Sequence, residues 1–137
     1  MSDKQFEIVD HTADWAVRVY GRSFTQLLLH AATAMNSLMV ADLLTIPQAE
    51  ERHLSLEAFD AESLLVEWLG ELAYLAEMEQ LVFPQCELHH VSSTRLSATV
   101  RGGRAPELQK HIKAVTFHNL EIIHTEEGLE VTIVFDV

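Results

Sequence analysis

Apolar positions along this chain switch repeatedly between a period of two and a period near 3.6. Residues 6–20 read as two short strands around a polar turn. Ile8 and Val9 carry the first strand, and Asp10-His11-Thr12-Ala13-Asp14 interrupts. Trp15, Val17 and Val19 then alternate with Ala16, Arg18 and Tyr20, as in a half-buried strand. Gly21-Arg22 ends that run. Ser23, with Gln26 three residues on, is a capping-box signature for a helix start. Leu27, Leu28, Ala31, Ala32, Met35, Leu38 and Met39 follow at helical spacing and predict one broad buried face. The pattern fails around Pro47, and Glu50-Glu51 reads as a solvated loop. Residues 53–58 alternate again. Asp60 is placed to cap a second helix. Its apolar stripe is Leu64, Leu65, Trp68, Leu69, Leu72 and Leu75, with Glu62, Glu67, Glu71, Glu77 and Glu79 mostly off it.

Residues 82–91 and 96–100 predict a strand pair joined by Ser92-Ser93-Thr94. Gly102-Gly103-Arg104 reads as a turn and Pro106 as the start of a short helical turn ending near His111. Residues 112–124 read as mostly extended, and Glu127-Gly128 as a hairpin turn into a last strand over 129–137. About seven strands and two long helices joined by short turns predict an α+β fold. The expectation is a single domain over residues 1–137, with a mainly antiparallel β-sheet packed on two long helices. The helices do not alternate regularly with strands, which argues against a parallel, doubly wound sheet.

Charge narrows the function. The 137 residues carry 9 Lys+Arg against 21 Asp+Glu, a net charge of −12. Such a surface repels phosphate backbones and anionic membranes, so high-affinity nucleic-acid binding by this chain alone is not expected. A cation or a basic protein is the more natural partner. Cys86 is the single cysteine; it has no internal disulfide partner, which points to a reducing, cytoplasmic setting. The first residues lack a basic region followed by an apolar run. The Leu- and Ala-rich stretch 27–46 is broken by His30, Asn36, Ser37 and Asp42, so it reads as a core helix, not a membrane span.

Three segments could carry chemistry. In Asp10-His11-Thr12-Ala13-Asp14, two carboxylates and an imidazole in a turn can present ligands to a cation, or can satisfy the turn's own backbone donors. At the other end stands Phe135-Asp136-Val137. By strand parity Leu129, Val131, Ile133 and Phe135 share one face, while Glu130, Thr132, Val134 and Asp136 share the other. Asp14 likewise falls opposite the Trp15/Val17/Val19 face. Both aspartates therefore lie on non-core sides, and they could meet if their strands are neighbours or if the strand ends converge. Val137 adds a backbone oxygen and a terminal carboxylate. Oxygen donors are hard ligands and suit Ca²⁺, Mg²⁺ or Mn²⁺. The plain alternative is a solvated aspartate. In Lys113-Ala114-Val115-Thr116-Phe117-His118, Lys113 is either a phosphate or partner contact or an ordinary surface lysine. His53, His89, His90, His111 and His124 form no zinc-like pattern with cysteine. Cys86 lacks a paired base, Gly102-Gly103-Arg104 lacks the Lys-Ser/Thr of a phosphate loop, and no serine sits on a nucleophile elbow.

Taken in order, these segments resemble the archease family. The match runs through Asp10-His11-Thr12-Ala13-Asp14, the Phe24/Ala31-Ala32/Met35 helix, and Leu64-Leu65-Val66-Glu67-Trp68-Leu69-Gly70-Glu71-Leu72. It continues through Lys113-Ala114-Val115-Thr116-Phe117-His118 to Phe135-Asp136-Val137. The resemblance implies an accessory protein of the RtcB-type RNA ligase of tRNA splicing and RNA repair, and not a stand-alone enzyme. In that setting archeases promote guanylylation of the ligase from GTP and allow multiple turnover. It implies a divalent metal on Asp14, Asp136 and Val137, with His11, Lys113 and His118 as possible partner or phosphate contacts. Phe117 stands where the family often has Tyr, and Trp15-Ala16 replaces a small aliphatic residue and Gly. Glu121 is not carried over as a ligand. Two rivals stay open: a metal-dependent hydrolase using Asp14, Asp136 and His11, and a binding module with a structural metal. The oligomeric state is not legible.

Overall fold

The computed structural model describes residues 4–9 and 15–137. Among them the order is β1 (Phe6–Val9), β2 (Trp15–Gly21), α1 (Phe24–Met39), a 3-10 turn (Leu43–Thr45), β3 (Glu50–Glu57) and α2 (Ala61–Glu79). Then follow β4 (Leu81–Leu88), β5 (Arg95–Arg104), β6 (Ala114–Val115), β7 (Ile123–Thr125) and β8 (Gly128–Asp136). The strands form two sheets where sequence patterning suggested one. The larger runs β1-β2-β8-β6, with β7 also on β8, and the smaller runs β3-β5-β4. Every described pairing is antiparallel. The α+β class is therefore as expected.

The helix starts follow their caps. Ser23 is extended, and its hydroxyl accepts from the Gln26 N–H at 3.1 Å, while the Gln26 side chain accepts from the Arg22 N–H at 2.7 Å. The Asp60 carboxylate accepts from the Ser63 N–H at 2.8 Å. α2 ends on Gln80 in the left-handed region, φ 58°, with its side-chain amide donating to the Ala105 carbonyl. α1 packs on β2 of the larger sheet and β4 of the smaller one, and α2 packs on β4, β3 and β6. The core lies between the sheets and helices. Trp68, Phe83 and Phe135 are its largest fully buried side chains. The buried Asn36 is satisfied by donating to the Phe83 carbonyl at 3.1 Å, beside the β4 register shift between Val82 and Gln85.

Four local expectations fail, each because a distant partner decides. Glu50-Glu51 is not a loop but the start of β3, paired with Gly102 and Arg101. Glu51 points outward and meets Arg101 at 2.8 Å. Gly102-Gly103-Arg104 is not a turn but the end of β5. A side chain on Gly102 would collide with the Val82 carbonyl, and one on Gly103 with the Pro47 carbonyl. These glycines serve close backbone approach. Pro106 opens no helix. The stretch around it is held by the Gln109 N–H donating to the Met39 carbonyl at 2.7 Å and by burial of Ala105 and Ile112. Within residues 112–124 only β6 and the start of β7 are strand. Between them the Leu120 N–H donates to the Phe117 carbonyl at 3.1 Å, and Asn119 takes φ 51°, a region asparagine tolerates.

Candidate functional site

β2 and β8 are neighbours, and their register settles which faces agree. Trp15 pairs with Phe135, Val17 with Ile133 and Val19 with Val131. The predicted apolar faces of the two strands therefore coincide and look into the core. Asp136 closes β8 on the opposite face and is exposed. Its carboxylate has no hydrogen bond or ion pair among the described residues. β6 flanks it: Ala114 pairs with Asp136, and the Lys113 N–H donates to the Asp136 backbone carbonyl at 2.7 Å. Lys113 is thus tied to Asp136 by the main chain, while its own side chain is exposed and has no partner among the described residues. Asp14 and His11, the other residues singled out in the sequence, lie outside the described residues. So do the rest of that segment, Asp10, Thr12 and Ala13.

The chain after β6 stays at this end. Thr116 holds the loop by donating its N–H to the Val134 carbonyl and accepting from the His118 N–H at 3.2 Å. His118 is exposed, with the Asn119 amide 3.3 Å from Nε2. Phe117 is exposed too. Val137 is partly exposed. Glu121 lines a groove of about 580 Å³ at the start of α2, together with Asp60, Glu62 and Phe117.

One neighbour of the site was invisible in the sequence. The Lys110 ammonium stands over the Trp15 ring, 4.0 Å from its centroid, within cation–π range. The signal available was the substitution to Trp15 beside the aspartate, with an unassigned lysine three residues before Lys113. Elsewhere, His53 Nδ1 and His89 Nε2 both approach the Thr99 hydroxyl, at 3.1 and 2.9 Å, on the smaller sheet. No group of three or more His, Cys, Asp or Glu among the described residues is arranged to hold a metal ion. Burial pushes the Cys86 thiol up to about 12, so it is not a nucleophile at neutral pH.

The far end of the larger sheet is different. There Lys4, Tyr20, Arg22, His30, Glu126 and Glu130 line a groove of about 980 Å³. It lies beside the Gly21–Leu129 pair, roughly 20 Å along the sheet from Trp15–Phe135. Its charges mix both signs. The Tyr20 hydroxyl donates to Glu7 at 2.8 Å, and Lys4 and Arg18 pair with the same carboxylate. The Tyr20 bond, then Lys4, hold the Glu7 carboxyl below its ordinary 4.5. The Ser63 hydrogen bonds hold Asp60 below its ordinary 3.8. A depressed carboxylate stabilises the fold above its unfolded value, and that contribution is lost as pH falls through the folded one. The thermal midpoint should therefore drop as pH goes below these ordinary values, and Glu7→Gln should flatten the drop in calorimetry. An equally steep drop in Glu7→Gln would remove this network as a cause.

Among the described residues no helix is long and apolar enough to cross a membrane. The model of the Archease protein family matches residues 6–137. The chain is 32% identical to protein archease of Methanosarcina barkeri, over 98% of this chain and 97% of that one. It superposes on the solution structure of Methanobacterium thermoautotrophicum protein 1598 with a TM-score of 0.77, at 28% identity, covering 97% of this chain and 99% of the other. It shares its fold with an archease and possible chaperone from Thermotoga maritima, with a TM-score of 0.66 at 22% identity and 94% coverage of each chain.

Proposed function

This chain belongs to the archease family, and we propose that it is a metal-binding accessory protein that activates an RtcB-type RNA ligase by promoting its guanylylation. The observation that carries the reading is the meeting of a full-length family match with the register of β2 on β8. Trp15, which follows Asp14, is the strand partner of Phe135, which precedes Asp136. Asp14 and Asp136 are thus the chain neighbours of a paired Trp15 and Phe135, and they are the two carboxylates expected to share a cation.

The donor chemistry suits a hard divalent ion, Ca²⁺, Mn²⁺ or Mg²⁺. Asp136 is exposed and has no ion pair among the described residues, so none of those must break for it to bind one. Asp136, Asp14 and the Val137 backbone oxygen would hold the ion, which supplies positive charge for orienting phosphate oxygens. Lys113 and Lys110 are then the two lysines beside it that can meet phosphates or a partner's carboxylates. An acidic tip docks in a basic nucleotide cleft without this chain binding RNA itself.

The test is a guanylylation assay: purified RtcB-type ligase, GTP and Mn²⁺, with and without this protein. Guanylylated ligase should accumulate faster with it, and multiple turnover should appear in end joining. An unchanged guanylylation rate, or hydrolysis of phosphoester substrates by this protein alone, would overturn the reading. A gel shift should detect no tight RNA complex with the isolated protein.

A further inference from the structure

α2 contains five glutamates and no lysine or arginine. Three of the five are used inside the fold. Glu62 accepts from the Ile122 N–H, Glu77 meets His111, and Glu79 meets Arg52. Glu67 and Glu71 have no hydrogen bond or ion pair among the described residues. They stand four residues apart, where like charges destabilise a helix.

The same helix face carries Gly70, Tyr74 and Met78. Tyr74 is 57% and Met78 65% exposed, in the middle and last turns of an ordered helix. A helix-interior glycine costs stability relative to alanine. Here nothing inside the chain asks for it: its φ is not positive, and a side chain at Gly70 would meet no atom within 4 Å. The face thus combines a flat spot, an exposed aromatic and thioether, and two uncompensated carboxylates. Each is unfavourable or idle in the isolated chain, and all three lie on one stripe about 18 Å long.

We propose that this face of α2 is a docking surface for a basic amphipathic helix of a partner protein. Gly70 lets the incoming backbone approach closely, Tyr74 and Met78 supply apolar contact, and Glu67 and Glu71 meet its lysines or arginines. Charge decides against the other occupants. A second copy would set the unpaired glutamates against one another. A nucleic acid would bring phosphates to the same carboxylates. The surface is independent of the Asp136 end and of the ligase reading.

The probe is a synthetic amphipathic helix of Leu and Lys, titrated into the isotope-labelled full chain, with a scrambled peptide of equal charge as control. NMR shift changes should centre on residues 63–78. Affinity should fall about tenfold or more for the scrambled peptide and for Glu67→Lys/Glu71→Lys, as loss of complementary charge predicts. Gly70→Leu should also weaken binding while raising the thermal midpoint, which separates docking from folding. The proposal is overturned by shifts centred elsewhere, by equal binding of the scrambled peptide, by undiminished binding of the double variant, or by no binding. It is equally overturned if sedimentation shows a dimer that Tyr74→Glu dissolves, which would assign the face to a second copy.

Discussion

Trp68→Ala should lower the unfolding free energy by about 3–5 kcal/mol, the range for removing a fully buried large aromatic. Trp68 is 0% exposed and sits on the α2 stripe facing α1. Its indole N–H donates to the Leu28 carbonyl at 2.9 Å, so the ring also ties the two helices by a hydrogen bond. The core cluster it belongs to includes Leu64, Leu65 and Leu69 on α2 and Leu27 and Leu28 on α1. These are held by their own helices and cannot all collapse into the space. Against a typical total of about 5–15 kcal/mol, the loss leaves the variant near its folding threshold. Urea unfolding followed by circular dichroism measures it. Trp68→Phe keeps most of the volume and loses only the donor, so it should cost markedly less. A loss for Trp68→Ala below about 1 kcal/mol would mean that the helices close up around the site, and that the core is not anchored there.

The helices and the strand faces were legible because their causes are local. Ser23 and Asp60 cap as their positions predict, and every α1 and α2 stripe position is buried, joined by Ala34, Asn36, Ala73 and Ala76, which the stripes did not include. Parity placed Trp15, Val17 and Val19 on one face and Val131, Ile133 and Phe135 on another, and pairing makes them one layer. The failures share a different cause. Glycine in Gly102-Gly103 signals a turn in isolation, yet it is required by the Val82 and Pro47 backbones. Glu50-Glu51 looks like a solvated loop because Glu51 does face outward, but Glu50 points to the other face of a strand whose partner is some fifty residues away. The division into two sheets depends on which strands become neighbours, which alternation does not encode. For the site, parity sufficed to put Asp136 on the outer face. It could not find Lys110 over Trp15, a contact across about a hundred residues.

Asp136→Ala should separate function from stability in the opposite sense to Trp68→Ala. The side chain is exposed, lies at the end of β8, and makes no hydrogen bond or ion pair among the described residues. Surface substitutions of this kind usually stay within about ±0.5 kcal/mol, so the urea midpoint should hardly move. Divalent-ion binding, read by calorimetric titration with Ca²⁺ or Mn²⁺, should be lost, and ligase guanylylation should return to the rate seen without the protein. Asp14→Ala should behave alike if both carboxylates share the ion. Lys113→Ala should lose part of the acceleration if its ammonium meets phosphate or partner, and Lys110→Ala should show whether the Trp15-stacked lysine adds to it. Added salt should weaken the effect of the intact protein, since screening confines surface charge to ~8 Å at physiological ionic strength. Two results would break the assignment. One is an Asp136→Ala protein that melts like Trp68→Ala, which would make the ion structural. The other is full acceleration by a variant that binds no ion, which would leave the tip's charge, not its metal, as the agent of docking.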